Sequence, residues 1–459
     1  MVISKFKFKL TLTLTLIMFL FGSIYVSPMS VMAKSSTGNT ASKLTDKDAL
    51  KKLTSKYVSQ FKKGNFNDFY KNSTKQMQQA ISIERLKQGW NILVSITGAP
   101  GKSIGSTYTQ KNSMHLVTEK IECTLYNITV TIGYNTKGKP DYIWSSYVPK
   151  DPPKPQSTSS WEEFSTTVGE KNLNGILTLP KGVEKPPVVI MIQGSGPSDM
   201  NESVGATPNR PFEDIAHGLA DQGVATLRYN KCTYQYPGVG GDSIEYEILN
   251  DAAAAVKMLS KDNRVDPARI FLLGHSLGGM MAPKIATDNT EIKGFISMAG
   301  SLRSLQEILF DQYKAAFDAE PSLTEQQKNV LLAQVEAEIE KTKKIDGNGN
   351  NIILDAPTSY WKSLSAIDNI ALAKKLTVPM LILQGSADFQ VYTDTDYKLW
   401  QTTLMDHTNV TYHLYDGLSH EFMPNQLSKN GAPDITVYNA PNHVDPQVIT
   451  DIAVWVKGQ

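Results

Sequence analysis

The sequence predicts an α/β fold built on a mainly parallel sheet, preceded by a small α+β domain. Three observations carry this. From Trp161 onward, apolar strand-like runs alternate with amphipathic helical stretches, beginning with PVVIMIQGSG, PFEDIAHGLADQG and VATLRYN. Between Leu44 and Val148, helical spacing comes first and polar–apolar alternation follows. Between these regions, PKDPPKPQSTSS (149–160) places four prolines in twelve residues, which favours a semi-rigid linker.

The chain begins with Lys5, Lys7 and Lys9, followed by the uncharged apolar run LTLTLTLIMFLFGSIYV. Val31 and Ala33 are placed as in a small-residue cleavage site. Residues 1–33 therefore read as a secretory signal peptide cut after Ala33, and the protein as secreted. An uncleaved anchor is the alternative, for which the run is slightly short. Cleavage would take the net charge from +1 to −2 (1 − 3) and leave no segment for stable membrane insertion. KSSTGNTASK (34–43) is polar and small, as expected of a disordered tether.

In 44–148, Leu50, Leu53, Tyr57 and Phe61 recur at helical spacing, with Thr45 as a plausible N-cap. Further helical stretches cover roughly 66–79 and 82–94. Three strand-like runs follow, SIGSTYTQ, HLVTEKIECTLYNITVTIGYN and PDYIWSSYV. Tyr126, Tyr134, Tyr142 and Trp144 fit either a binding groove or sheet-face packing.

The near-neutral charge gives no field for nucleic acid, and no basic cluster with interleaved aromatics occurs. Cys123 and Cys232 fall in different predicted domains and read as unpaired thiols. They are too few for a zinc site without help from histidines, no pair of which has ligand spacing, and the serine chemistry read below needs no metal or cofactor.

In 161–459, EYEILNDAAAAVKMLSKD (245–262) and LGGMMAPKIATD (277–288) read as helices. RIFLLGHS, GFISMAG, PMLILQGS and VTYHLYDG read as strands. Residues 301–366 break the alternation with two helical stretches, predicting a cap over the C-terminal edge of the sheet, where ligands bind in open α/β folds. Within it, DGNGNN (346–351) fails the calcium-loop pattern at Asn351 and Pro357 and reads as a turn or hairpin.

Gly274-His275-Ser276-Leu277-Gly278 fits G-x-S-x-G between a predicted strand and a predicted helix, the setting in which such a turn exposes a nucleophilic serine. The serine needs a base, and in this topology acid and histidine follow it in the chain. His413 falls within an alternating strand, His407 in a polar turn and His443 in a surface loop. His420, after the last strand in DGLSHEF, is the candidate base. Asp388, after LILQGSA, is the candidate acid, with helix N-capping as its structural alternative. Asp394 and Asp396 lie on the following helix. The backbone N–H groups of Leu277 and of Ser195, in QGSGPSD, are the candidate oxyanion donors.

QGSGPSD, PFEDIAHGLADQGVATLRYN, DPARIFLLGHSLGG, LQGSADFQV and GLSHEF together resemble a group of bacterial α/β-hydrolase carboxylesterases across the whole of 161–459. Residues 44–148 resemble the small domain of NTF2-like shape that precedes some of them. The resemblance implies an α/β-hydrolase fold and a serine esterase acting on short acyl esters, with Ser276, Asp388 and His420 as triad. One departure is RYNKCTYQYPGVG, with Cys232 where arginine is usual. A peptidase or acyltransferase on the same triad stays open. So does a cell-surface binding protein with a hydrolase scaffold, and a cell-wall or surface contact through 44–148.

Overall fold

The computed structural model describes residues 29–32, 46–111, 113–205, 209–345, 351–425 and 436–459. The expected leader and tether lie outside them, apart from Met29–Met32. Two compact units divide between Asp151 and Pro152, within the proline-rich stretch.

In the first unit, β1 (Met29–Met32), β2 (Ser103–Lys111), β3 (Met114–Glu122), β4 (Asn127–Tyr134) and β5 (Pro140–Val148) form one antiparallel sheet in the order β1-β5-β4-β3-β2. The middle strand-like run of the sequence is two strands, because the chain turns at 123–126. Helices Lys47–Phe61, Asn67–Asn72, Lys75–Ala80 and Ile83–Thr97 precede β2. The second expected helix is thus two short ones, parted at Ser73–Thr74, where the chain turns extended and Thr74 caps the next helix. The first is capped by Asp46 rather than by Thr45, which lies outside the described residues. Phe61, Phe69 and Trp90 share a core with Val117, Ile128 and Val130. Tyr126 and Tyr134 are buried, and the Tyr134 hydroxyl sits 2.7 Å from Thr54 Oγ1. Packing therefore accounts for those two rings, whereas Tyr142 and Trp144 are half-buried.

In the second unit, β6 (Trp161–Val168), β7 (Leu173–Pro180), β8 (Val188–Ile192), β9 (Ala225–Tyr229), β10 (Ile270–His275) and β11 (Ile292–Met298) are followed by a short hairpin, β12 (Ile352–Ile353) with β13 (Ala356–Pro357). β14 (Met380–Gly385) and β15 (Val410–Tyr415) complete the set. The main sheet has eight strands in the order β15-β14-β11-β10-β8-β9-β7-β6. All pair in parallel except β6 and β7, an antiparallel edge hairpin. Along β8, Val188, Ile190 and Ile192 enter one core while Val189 and Met191 enter another, so the sheet is buried on both faces. That explains the unbroken apolar strands of the sequence.

Helices Leu305–Ala319 and Glu325–Lys343 both begin with a capping box, at Ser304 and Thr324. With Thr358–Ser365 they form the cap, whose Leu309, Phe317, Leu331, Trp361 and Leu364 join the core on one face of the sheet. Most of DGNGNN lies outside the described residues. The cap's entry is anchored by Arg303, whose Nε and Nη2 lie 2.8 and 3.0 Å from the two carboxylate oxygens of Asp396 and whose Nη1 lies 2.7 Å from Asp311. Asp396 is fully buried. Arg303→Ala leaves that carboxylate unpaired and is expected to lower unfolding free energy by about 3 kcal/mol, read by urea denaturation.

Candidate active site

Every expected site residue lies at the C-terminal end of a parallel strand. The loop carrying Ser195 follows β8, Ser276 follows β10, Asp388 follows β14 and His420 follows β15.

Ser276 has φ 52° and ψ −115°, a backbone conformation that L-residues rarely adopt and that costs on the order of 1–3 kcal/mol. Two hydrogen bonds hold it there. Its N–H donates to Met298 O (2.9 Å), and its carbonyl accepts Met280 N–H (2.8 Å). Side chains around it would prevent the turn. A Cβ on Gly274 would collide with the Gly278 carbonyl, and one on Gly278 with the carbonyls of Ile192 and Gln193. A Cβ on Gly194 would come within 3.1 Å of Ser276 Cβ, so the loop after β8 abuts the serine. The helix Leu277–Asp288 starts at this turn, where its first N–H groups have no intrahelical partner.

Asp388 and His420 form a buried pair, Oδ2 to Nδ1 2.7 Å. Asp388 Oδ2 also accepts Gln384 Nε2 at 2.9 Å, and its Oδ1 accepts the N–H groups of Gln390 (2.8 Å) and Val391 (3.0 Å). No helix begins at Asp388, since the next helical turn starts at Thr393, so the helix-capping alternative is not what the structure shows; Oδ1 instead holds two loop N–H groups while Oδ2 meets the histidine. With Nδ1 engaged by the acid, Nε2 is the nitrogen of His420 left for a serine hydroxyl. The loop bearing His420 is tied by Ser419 N–H to Met423 O (2.8 Å) and Asn425 N–H to Gly417 O (2.8 Å). Of the other histidines, His413 lies 3.5 Å from Asp451, and exposed His443 bonds Asp214 at 3.1 Å.

Sequence reasoning missed a set of buried charges around these loops. His275, beside the serine, packs its ring 4.7 Å from that of His420. Its Nε2 lies 3.0 Å from the His420 carbonyl, and its Nδ1 3.0 Å from Glu202 Oε1. A carbonyl only accepts, and that Glu202 oxygen already accepts Gly194 N–H at 2.6 Å, so both ring nitrogens are placed as donors. Burial opposes the charged imidazolium. The charge and hydrogen bond of Glu202 outweigh it, with Glu421 and the His420 carbonyl adding, and His275 is pushed up from 6.5 to about 9. Glu421 is pushed up to about 7 by burial, against the pull of His420 and His275. On the other side of the loop after β8, Lys231 and Glu247 form a buried pair at 2.6 Å. Glu247 stands on a π-helical turn, Glu245–Leu249, inside the expected long helix. A π-turn and charge pairs far apart in sequence have no local pattern. The Lys in RYNKC and the Glu in SHEF were the available signals.

Strand order, cap and serine turn define the α/β-hydrolase class. The family described as serine aminopeptidase, S33, matches residues 210–426. Esterase EstD of Thermotoga maritima is 30% identical over 405 residues, spanning 87% of this chain and 93% of that protein. Among solved structures, Est1E from Butyrivibrio proteoclasticus aligns with TM-score 0.39 and 19% identity over 64% of this chain and 96% of its own. The esterase domain of a Rhodothermus marinus protein aligns with TM-score 0.38 and 14% identity over 65% and 98%. On the extent of the similarity to EstD, the chain belongs to the α/β-hydrolase esterases, enzymes that cleave carboxylic esters.

Two outcomes follow from the geometry. Asp388→Asn is expected to lower kcat by roughly four orders of magnitude with the fold intact, because the amide no longer sets the His420 tautomer; steady-state ester hydrolysis and circular dichroism read this. For His275, the folded pKa is raised above the ordinary 6.5. Its stabilisation is therefore complete below about pH 6.5 and is lost as pH rises through about 9. The unfolding free energy of the wild type, read by urea denaturation at each pH, should fall across that window by on the order of 3 kcal/mol relative to His275→Gln.

Proposed function

We propose that this chain is a secreted serine carboxylesterase that hydrolyses short-chain acyl esters through an acyl-enzyme on Ser276. The observation that carries the reading is the buried Asp388–His420 pair, 2.7 Å across, with the His420 carbonyl 3.0 Å from the ring of His275, the residue before the positive-φ Ser276.

In this reading His420 Nε2 takes the Ser276 hydroxyl proton as Oγ attacks the ester carbonyl carbon. The carbonyl oxygen gains the charge and is met by the N–H groups of Leu277 and Ser195. The C–O bond to the alcohol breaks, and the imidazolium returns its proton to the departing alkoxide. Water then attacks the acyl-enzyme, giving its proton to His420. Ser276 leaves reprotonated and the carboxylic acid is released. Asp388 orients the ring and stabilises its cation.

Export rests on the charged, apolar and small-residue segments of 1–33. Preference for short acyl chains rests on the family resemblance and fits a cap whose large apolar side chains are committed to the core. The first unit, with helices packed on an antiparallel sheet, fits an NTF2-like shape. A peptidase on the same residues is the second reading, favoured by the match to the S33 aminopeptidase family.

The test is hydrolysis of a short-to-long series of nitrophenyl acyl esters, with peptide amides beside them, by the chain from Lys34 and by Ser276→Ala. The expected outcome is turnover that peaks at short chains, exceeds amide cleavage and falls by about 10⁵-fold or more in the variant. Equal activity in both proteins would remove Ser276 from the mechanism. Amide turnover above ester turnover would favour the peptidase.

A further inference from the structure

The loop after β8 is held at three backbone atoms by two buried charged side chains, Lys231 and Glu247, and by the part-buried Glu202. Lys231 Nζ donates to Gly194 O at 2.7 Å and to Glu247 Oε1 at 2.6 Å. Glu247 Oε1 accepts Gly196 N–H at 3.2 Å, and Glu202 takes Gly194 N–H at 2.6 Å. Lys231 and Glu247 are 2% and 6% exposed, so this pairing is screened little by water. Lys231 is itself fixed, its N–H donating to Ser198 O at 3.1 Å. Glu247 is also a partner of the Tyr360 phenol on the cap.

A trans peptide is planar, and its C=O and N–H point in opposite directions. The Gly194 carbonyl and the Ser195 N–H belong to one such plane. Holding the carbonyl on Lys231 therefore directs the Ser195 N–H away from Lys231. That peptide begins at Gly194, which abuts Ser276. A backbone donor serves an oxyanion only if it is already aimed when charge develops, because reorientation in the transition state would consume the gain.

We propose that Lys231, seated by Glu247, is a positioning residue that aims the 194–195 peptide as oxyanion donor. This rests on the esterase reading above with Ser195 as one of the two donors. It gives a role to a side chain that touches neither substrate nor triad, in the same RYNKC turn that departs from the usual arginine at Cys232. Without the ammonium, the Gly194 carbonyl would lose its donor and the peptide would be free to rotate. The loss would then appear where charge develops on the carbonyl oxygen, and not in ground-state binding.

The test compares the chain from Lys34 with Lys231→Met, using a nitrophenyl butyrate and a butyl trifluoromethyl ketone, which adds to a serine hydroxyl to give a tetrahedral oxyanion. Lys231→Met leaves Glu247 as an unpaired buried carboxylate. The neutral double variant Lys231→Met with Glu247→Gln is therefore measured beside it, with circular dichroism on each. The expected result in the folded variants is a kcat about 100-fold lower, a ketone affinity lower by a similar factor, and KM within about threefold of wild type. A kcat and ketone affinity within about threefold of wild type would overturn the proposal. So would a loss spread equally over KM and thermal midpoint with ketone affinity kept. If Ser276→Ala kept its activity, the esterase reading and the clamp would both fall. If Ser276→Ala were dead while the Lys231 variants stayed near wild type, the clamp alone would fall.

Discussion

The close approach of backbone at Ser276 is the constraint on which the second unit is organised. The serine sits at φ 52° between a strand and a helix that nearly touch, and the neighbouring chain ends press on it from β8 and β11. Any side chain at 274, 278 or 300 would meet backbone or Ser297. The strain amounts to on the order of 1–3 kcal/mol. Burial on both faces of the sheet offsets it many times over, since each fully buried Val, Leu, Ile or Phe contributes roughly 1.5–3 kcal/mol. The fold can therefore hold one unfavourable residue with its hydroxyl raised above the sheet edge.

Around that turn the loops are joined by charge and hydrogen bonding. Glu202 bridges the loop after β8 to His275, and His275 reaches the backbone of His420. Lys231 and Glu247 hold the far side of the same loop. Burying ions is costly unless each is paired and hydrogen-bonded, and here each partner touches a segment that must keep its place. Buried pairing is better suited than apolar packing to fix the direction of a peptide plane, because it is directional. The result is a site with little freedom to reorganise, as electrostatic stabilisation of a developing oxyanion requires.

Much of this was legible in the sequence because it is written in local patterns. The apolar runs of β8, β10, β11 and β14 are unbroken because both faces are buried. The glycine-flanked Ser276 and the polar loop holding Asp388 stand at the ends of such runs, and His420 follows the alternating edge strand β15, in the chain order that this topology requires. The edge hairpin β6–β7 was missed. Its outer strand is half exposed and alternates, and so does not resemble the buried strands. In the first unit, one long run hid two strands because its turn, Cys123–Tyr126, lacks glycine and proline. The π-turn that presents Glu247 and the pairing of Glu202 with His275, 73 residues apart, leave no periodic trace. Such contacts exist only once the tertiary fold brings the loops together.

The central claim is that Ser276 carries the acyl group. The most direct measurement is acid-quench mass spectrometry of the chain during turnover of a nitrophenyl butyrate, followed by peptide mapping. The account predicts one butyryl adduct, on the peptide containing Ser276, that disappears as substrate is exhausted. Turnover with no adduct on that peptide, or with an adduct on Ser195 instead, would contradict it.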